Sequence, residues 1–319
     1  MLRMAVRWRS LVICGGLLED SRLGNVALRY NLPMSRTLLV RVFAGTLFLL
    51  ITWVGYTQNK GGPPPLTLNK VKEDLYVIEG DGGNVAVYVT NEGVILVDDK
   101  YEPDFEGILA KVKSVTSQPI KYILSTHHHA DHSGGNTKFA AVAEIISTAN
   151  ARANIVQHKQ SNAPANMVPA GVVFTEETAV FLGGKEARAR YFGRGHTNGD
   201  AIIYFPALRT LHTGDLMAGK TPLIDYPGGG SVVEWTKTLD EAMKLDFDTV
   251  IPGHGPVTDK PGLLAYRNNV EKLRNRAAGL IREGKSQDEI GKVMIAEFGW
   301  AANGLQMQWS LPGMIAELR

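Results

Sequence analysis

Residues 125–135 read STHHHADHSGG, so four of the chain's eight histidines and an aspartate fall within six positions, directly after the apolar run IKYILST at 120–126. That run has the length and the β-branched content of a strand. If the backbone stays extended as it leaves the strand, side chains two apart face the same way. His127 and His129 then meet one metal ion, and His128 points elsewhere, into packing or a contact that supports the ligands. Asp131 and His132 follow where the chain turns and reach toward a second ion, after which Gly134 and Gly135 open the next helix.

Three further strand ends feed the same place. GRGHTNGD presents His196 before a strand at 201–205, LHTGDLM presents Asp215 after one at 209–213, and IPGHGP presents His254 after one at 249–251. Each is a Gly-flanked His or Asp at the end of an apolar run, and glycine allows the tight backbone that a crowded metal shell needs. The only cysteine is Cys14. The chain after it can form neither an internal disulfide nor a thiolate-ligated metal site. A metal must be held by imidazole and carboxylate, a donor set that suits zinc in a hydrolytic site with an open position for water. Two other histidines read as ordinary: His158 as a helix-surface polar residue and His212 as structural.

The remaining pattern alternates strands and helices. NVAVYVTNEGVILVDD reads as a hairpin, 84–90 and 94–98, turning at Asn91 and Gly93. Pro103 starts an amphipathic helix over 103–116. Then come a strand at 142–147, a helix at 148–158, strands near 172–174, 179–182 and 187–192, and a helix at 231–243. Leu263, Tyr266, Val270 and Leu273 form one helical stripe, Gly284 ends it, and Ser286 with Glu289 makes a capping box for a helix at 287–297. Interleaved strands and helices predict an α/β domain with a helical C-terminal portion packed on it.

Charge is unevenly placed. The net charge is +2, but residues 1–55 hold seven arginines, no lysine and only Glu19 and Asp20, which leaves 27 basic against 30 acidic residues in the rest. That balance of −3 argues against a nucleic-acid partner. From Met34, the order is Arg36 and Arg41, an apolar run from Val42 to Val54, then a Pro/Gly-rich linker. This is the order of an export signal, shorter than a full membrane span, and it predicts a periplasmic or secreted body. An uncleaved membrane tether through residues 38–56 is the alternative, and the working start is either Met1 or Met34. The expected division is 1–56 extension and signal or anchor, 57–65 linker, 66–258 catalytic domain and 259–319 helical segment.

The order H-x-H-x-D-H, G-H-T, T-G-D and P-G-H-G over residues 66–258 resembles the metallo-β-lactamase-fold hydrolase superfamily. The resemblance implies an αββα four-layer sandwich with two zinc ions at one edge. It puts His127, His129 and His196 on the first metal, Asp131, His132 and His254 on the second, and Asp215 between the two. Cysteine or serine near that last position is typical of dedicated β-lactamases. Aspartate is similar to the glyoxalase II, lactonase and general-hydrolase branches. Flavodiiron oxidases carry Glu in place of His129, and a ribonuclease Z relation lacks its basic arm here. A one-iron dioxygenase acting on sulfur compounds shares the ligands and stays open, as does a non-catalytic metal carrier.

The implied reaction is attack of zinc-activated hydroxide on the carbonyl of a small-molecule lactam, lactone, ester or thioester. Asp131 orients the attacking water and carries a proton to the leaving group. Asp98, at the end of VILVDD, is the candidate to orient a ligand histidine. The loop PLIDYPGGGS at 222–231 is expected to form a mobile lip, with Tyr226 donating to the substrate oxygen. Nothing in the sequence speaks to oligomeric state.

Overall fold

A computed structural model describes residues 64–319. The export signal or tether at 38–56 and the extension before it lie outside the described residues. Within them, one sheet holds β1 (Thr67–Lys72), β2 (Leu75–Glu79), β3 (Val85–Val89), β4 (Val94–Val97), β5 (Ile120–Leu124), β6 (Glu144–Thr148) and β7 (Val172–Phe174), adjacent in chain order. The first four run antiparallel through tight turns, and β4 to β7 run parallel. The second sheet runs β13 (Thr258–Asp259), β12 (Thr249–Ile251), β11 (Thr210–His212), β10 (Ala201–Phe205), β9 (Lys185–Tyr191), β8 (Glu177–Leu182). Only β11 and β12 are parallel there, and the helix Val232–Ala242 makes the crossover a parallel pair requires.

The period-two alternation of the strands sorts the layers. On β3, Ala86 and Tyr88 point between the sheets, where they meet Ala187, Ala189, Ile203 and Phe205. Val85 and Val87 point outward and pack with Ile108 and Val112 of the helix Phe105–Lys113. On β10 the same alternation sends Ile202 outward onto Trp235 and Leu239. Helix, sheet, sheet, helix is the resulting order, the αββα sandwich. Trp235 is fully buried and donates from Nε1 to Leu216 O at 3.1 Å.

The helix Lys260–Arg282 buries Leu263, Tyr266, Val270 and Leu273 in the same core as Trp235. Gly284 follows it with φ +74°, and the Ser286–Glu289 capping box opens the helix Gln287–Phe298. Beyond it lie a π-helical turn, Gln306–Ser310, and a last helix, Leu311–Leu318, with Pro312 and Gly313 in its first turn. Proline is tolerated in a first turn because those N–H groups have no intrahelical acceptor. Gly313 lies against the Tyr226 ring, where a Cβ has no room. Among the described residues, no helix is long and apolar enough to cross a membrane.

Candidate metal centre

Strand β5 stops its ladder at Leu124, the chain bends at His127 and His128, and His129 is extended again, with φ and ψ of −69° and 146°. The short helix Ala130–Ser133 then turns Asp131 and His132 inward. His196 enters from the loop before β10, Asp215 from the turn after β11, and His254 from the loop after β12. All these ends lie along one edge of the sandwich, because β5, β11 and β12 end there and β10 begins there.

Three groups of ligand-type atoms result, each within 4.8 Å: His127, His129, His196 and Asp215 in the first, Asp131, His132 and His254 in the second, and His128, His129 and Asp225 in a third. His196 Nε2 lies 3.0 Å from His129 Nδ1, and His132 Nε2 lies 3.2 Å from His254 Nε2. His254 Nε2 is 3.1 Å from Asp131 Oδ2. Asp215 spans the first two groups, with Oδ1 3.2 Å from His132 Nε2 and Oδ2 3.7 Å from His196 Nε2.

The opposite ring nitrogens fix the tautomers. His129 Nε2 donates to Asp225 Oδ2 at 2.8 Å, His132 Nδ1 to Asp98 Oδ2 at 2.8 Å, and His196 Nδ1 to the Leu223 carbonyl at 2.6 Å. Thr126 spends its hydroxyl proton on Asp98 Oδ2 at 2.8 Å, so its oxygen accepts from His127 Nδ1 at 3.0 Å. The inward nitrogens are thereby left with lone pairs. His127 Nε2 and Asp215 Oδ1 are buried and make no hydrogen bond among the described residues. Converging lone pairs repel unless a cation stands among them, and buried polar atoms go unpaired only for a reason. The residues present therefore fit a divalent metal.

Electrostatics agree. Burial and then the neighbouring His132 and His129 push His127 well below the usual histidine range, the neutral form a metal requires. Burial works to lower His132, but the carboxylates of Asp215 and Asp131 outweigh it and raise its pKa well above the ordinary value. Burial likewise works to raise Asp131, and His132 and His254 overcome it, so the carboxylate stays ionised.

Asp98 is fully buried, accepts from Thr126 N at 2.7 Å and lies 2.8 Å from His132 Nδ1. His128 faces away, with its Nδ1 3.4 Å from Asn154 Nδ2, and His212 donates to the Asn84 carbonyl, a structural role. Tyr226 is a correction. Its hydroxyl donates to Glu317 Oε2 at 2.7 Å, on the last helix, because Glu317 also accepts from Ser231 and Val232 N at the start of the helix Val232–Ala242. The expected lip is also corrected. Gly228 O accepts from Asn198 N and from Asn154, Gly230 N donates to Asp225 O, and a Cβ at Gly230 would strike the His196 carbonyl. That loop is packed support for His196 and His129.

Asp225 went unread in the sequence, although it stands beside Tyr226 in the same loop. No spacing rule ties it to His129, 96 residues earlier. Lys100 went unread too: its buried Nζ donates to the carbonyls of Asp81 at 2.7 Å and Gly83 at 2.5 Å, pinning the turn against which His132 packs.

Four of the candidate ligands, His129, Asp131, Asp215 and His254, floor an open cavity of about 420 Å³, whose walls include Tyr101, Gln160, Lys220, Leu305 and Trp309. A larger cavity of about 810 Å³ shares Tyr101 but is lined by Asp81, Phe105, Glu106, Lys138 and Met167, away from the histidines. Of the two, only the smaller is lined by candidate ligands.

Fold and centre together define a metal-dependent enzyme of the α/β sandwich type, a metallo-hydrolase. The chain belongs to the metallo-beta-lactamase superfamily, whose family model matches residues 78–254. It is 25% identical over 198 residues to metallo-beta-lactamase IND-1 of Chryseobacterium indologenes, which covers 58% of this chain and 80% of that protein. It is also 25% identical over 195 residues to the 2,4-dinitroanisole O-demethylase subunit alpha of a Nocardioides species, over 60% of this chain and 58% of that one. The fold matches the crystal structure of DIM-1 metallo-beta-lactamase with a TM-score of 0.57 at 20% identity, over 66% of this chain and 99% of that one. A metallo-beta-lactamase from Pontibacter korlensis matches with 0.55 at 21%, over 65% and 99%.

Proposed function

We propose that the protein is a dinuclear zinc hydrolase that opens a lactam, lactone, ester or thioester, with the general-hydrolase reading favoured over a dedicated lactamase. The observation that carries it is Asp215, whose two carboxylate oxygens reach His132 and His196 at 3.2 and 3.7 Å, one in each of the first two ligand groups. His127, His129 and His196 would hold one zinc and Asp131, His132 and His254 the other, with Asp215 between them. Zinc in that donor set would supply a Lewis acid that lowers the pKa of water and polarises a carbonyl.

The chain's own residues do the rest. Asp131, ionised and beside His254, orients the attacking water and carries its proton to the leaving group. Asp98 and Asp225 keep His132 and His129 from rotating away. Relatives named both as beta-lactamases and as an O-demethylase support a scaffold whose substrate is set by its walls. The reading includes an exported body, a small-molecule substrate and no nucleic acid, and it keeps the division at 57–65 and 258/259.

The test is metal analysis of purified protein with turnover on lactone, ester, thioester and chromogenic lactam panels after zinc reconstitution. Two zinc ions per chain and hydrolysis of at least one class are expected. One iron per chain with oxygen uptake on a sulfur substrate would replace this reading with a dioxygenase.

A further inference from the structure

The C-terminal segment lies beyond the stretch the family model matches, which ends at residue 254, yet it supplies part of the wall of the catalytic cavity. Leu305, Gln306 and Trp309 all line it. The Trp309 ring stands 5.9 Å from the His129 ring, centroid to centroid, so the indole borders the first ligand group. Leu305 is 39% exposed at the same opening, an apolar side chain left uncovered where the cavity meets solvent.

This wall is built rather than incidental. The π-helical turn Gln306–Ser310 widens the backbone just where Trp309 must turn inward. Ser310, fully buried, accepts from Ile224 N and donates to Ile224 O, both at 2.9 Å, which fastens the turn to the loop carrying Asp225. Glu317 makes the second fastening, through Tyr226, Ser231 and Val232 N. Trp309 is thus held by two anchors on the loop whose Asp225 orients His129.

We infer that Trp309 and Leu305 form an apolar platform that receives the acyl side of the substrate, so that the enzyme prefers carbonyl compounds whose acyl group is an aliphatic chain or flat ring. The inference rests on the hydrolase reading and deepens it. A cavity floored by charged ligands gains little affinity from a small polar acyl group already solvated in water. An apolar group laid on Trp309 and Leu305 leaves water on both partners, and such contact discriminates between acyl groups by tenfold or more.

The experiment compares 4-nitrophenyl octanoate with 4-nitrophenyl acetate, which share a leaving group, on zinc-loaded wild type, Trp309→Ala, Trp309→Phe and Leu305→Ser. Calorimetric binding of octanoate and acetate to the same proteins is the readout that needs no turnover. The wild type should favour octanoate in kcat/KM and bind octanoate more tightly than acetate. Trp309→Ala should cut the octanoate-to-acetate ratio about tenfold through KM, Leu305→Ser about threefold, and Trp309→Phe should retain most of it. An unchanged ratio in Trp309→Ala and Leu305→Ser, with octanoate binding also unchanged, overturns the platform while leaving the hydrolase intact. If wild type hydrolyses neither ester, the ester part of the hydrolase reading fails, and the platform is then decided by octanoate binding alone: equal binding by wild type and Leu305→Ser overturns it. Leu305 is exposed, so its variant folds whatever Trp309→Ala does.

Discussion

The Asp225 carboxylate accepts a hydrogen bond from His129 Nε2 at 2.8 Å, and the Gly228 backbone N–H holds its other oxygen at 3.0 Å. A buried aspartate in a loop after β11 therefore sets the tautomer and angle of a histidine at the end of β5. Removing such a partner typically costs 10- to 100-fold in metal affinity. Asp225→Asn should weaken zinc binding by roughly that factor, read by competition with a chromogenic chelator, because an amide can donate to His129 and favour the wrong tautomer. Unaltered zinc affinity would mean His129 is held by its neighbours alone.

Ligand and catalytic roles separate under mutation. His196→Ala removes Nε2 from the first group and should leave about one zinc per chain. Asp131→Asn keeps a ligand-sized side chain but loses the ionised oxygen beside His254. Its turnover should fall by about 100-fold or more, the range of a lost general acid–base group, with a smaller change in metal content. Equal loss of zinc in both variants would assign Asp131 a purely structural part.

Gly83 meets the His132 ring so closely that a Cβ there would overlap it. The ring cannot retreat, since its Nδ1 is tied to Asp98 and it is fully buried. Gly83→Ala should therefore displace His132 and lower occupancy of the second site more than the first. Metal analysis and a crystal structure of the variant check this; a fully loaded second site would show that the 80–84 turn can yield.

Lys100 gives a pH signature. Burial pushes its amine down to about 8, against the opposing pull of Asp104 and Asp81. Below pH 8 the amine is charged in folded and unfolded chains alike, and the burial cost is fully present. Between pH 8 and the unfolded value near 10.4, the unfolded chain binds more protons, so stability rises with pH. Lys100→Met should be less stable than wild type, for want of the bonds to Asp81 and Gly83. The gap should widen from pH 8 to pH 10 in denaturant unfolding; a constant gap would place the amine's folded pKa near its ordinary value.

The sequence by itself named the candidate ligands and determined most of the frame. His196, Asp215 and His254 stood out at glycine-flanked strand ends and His127, His129, Asp131 and His132 in one histidine cluster, all local patterns, while their division between two metals came from the family resemblance. The sandwich was legible because alternation on strands such as 85–89 names both faces at once, and the capping box at Ser286 marks a helix start within four residues. Tertiary structure alone decided what surrounds that centre. Asp225 reaches His129, Tyr226 turns to Glu317, and Trp309 comes to the cavity from the far end of the chain, because hydrogen bonds and ring contacts between distant segments depend on where the sheets and helices finally pack. Local periodicity carries no information about partners 86 to 180 residues apart, whereas a buried donor must find its acceptor wherever the fold puts it.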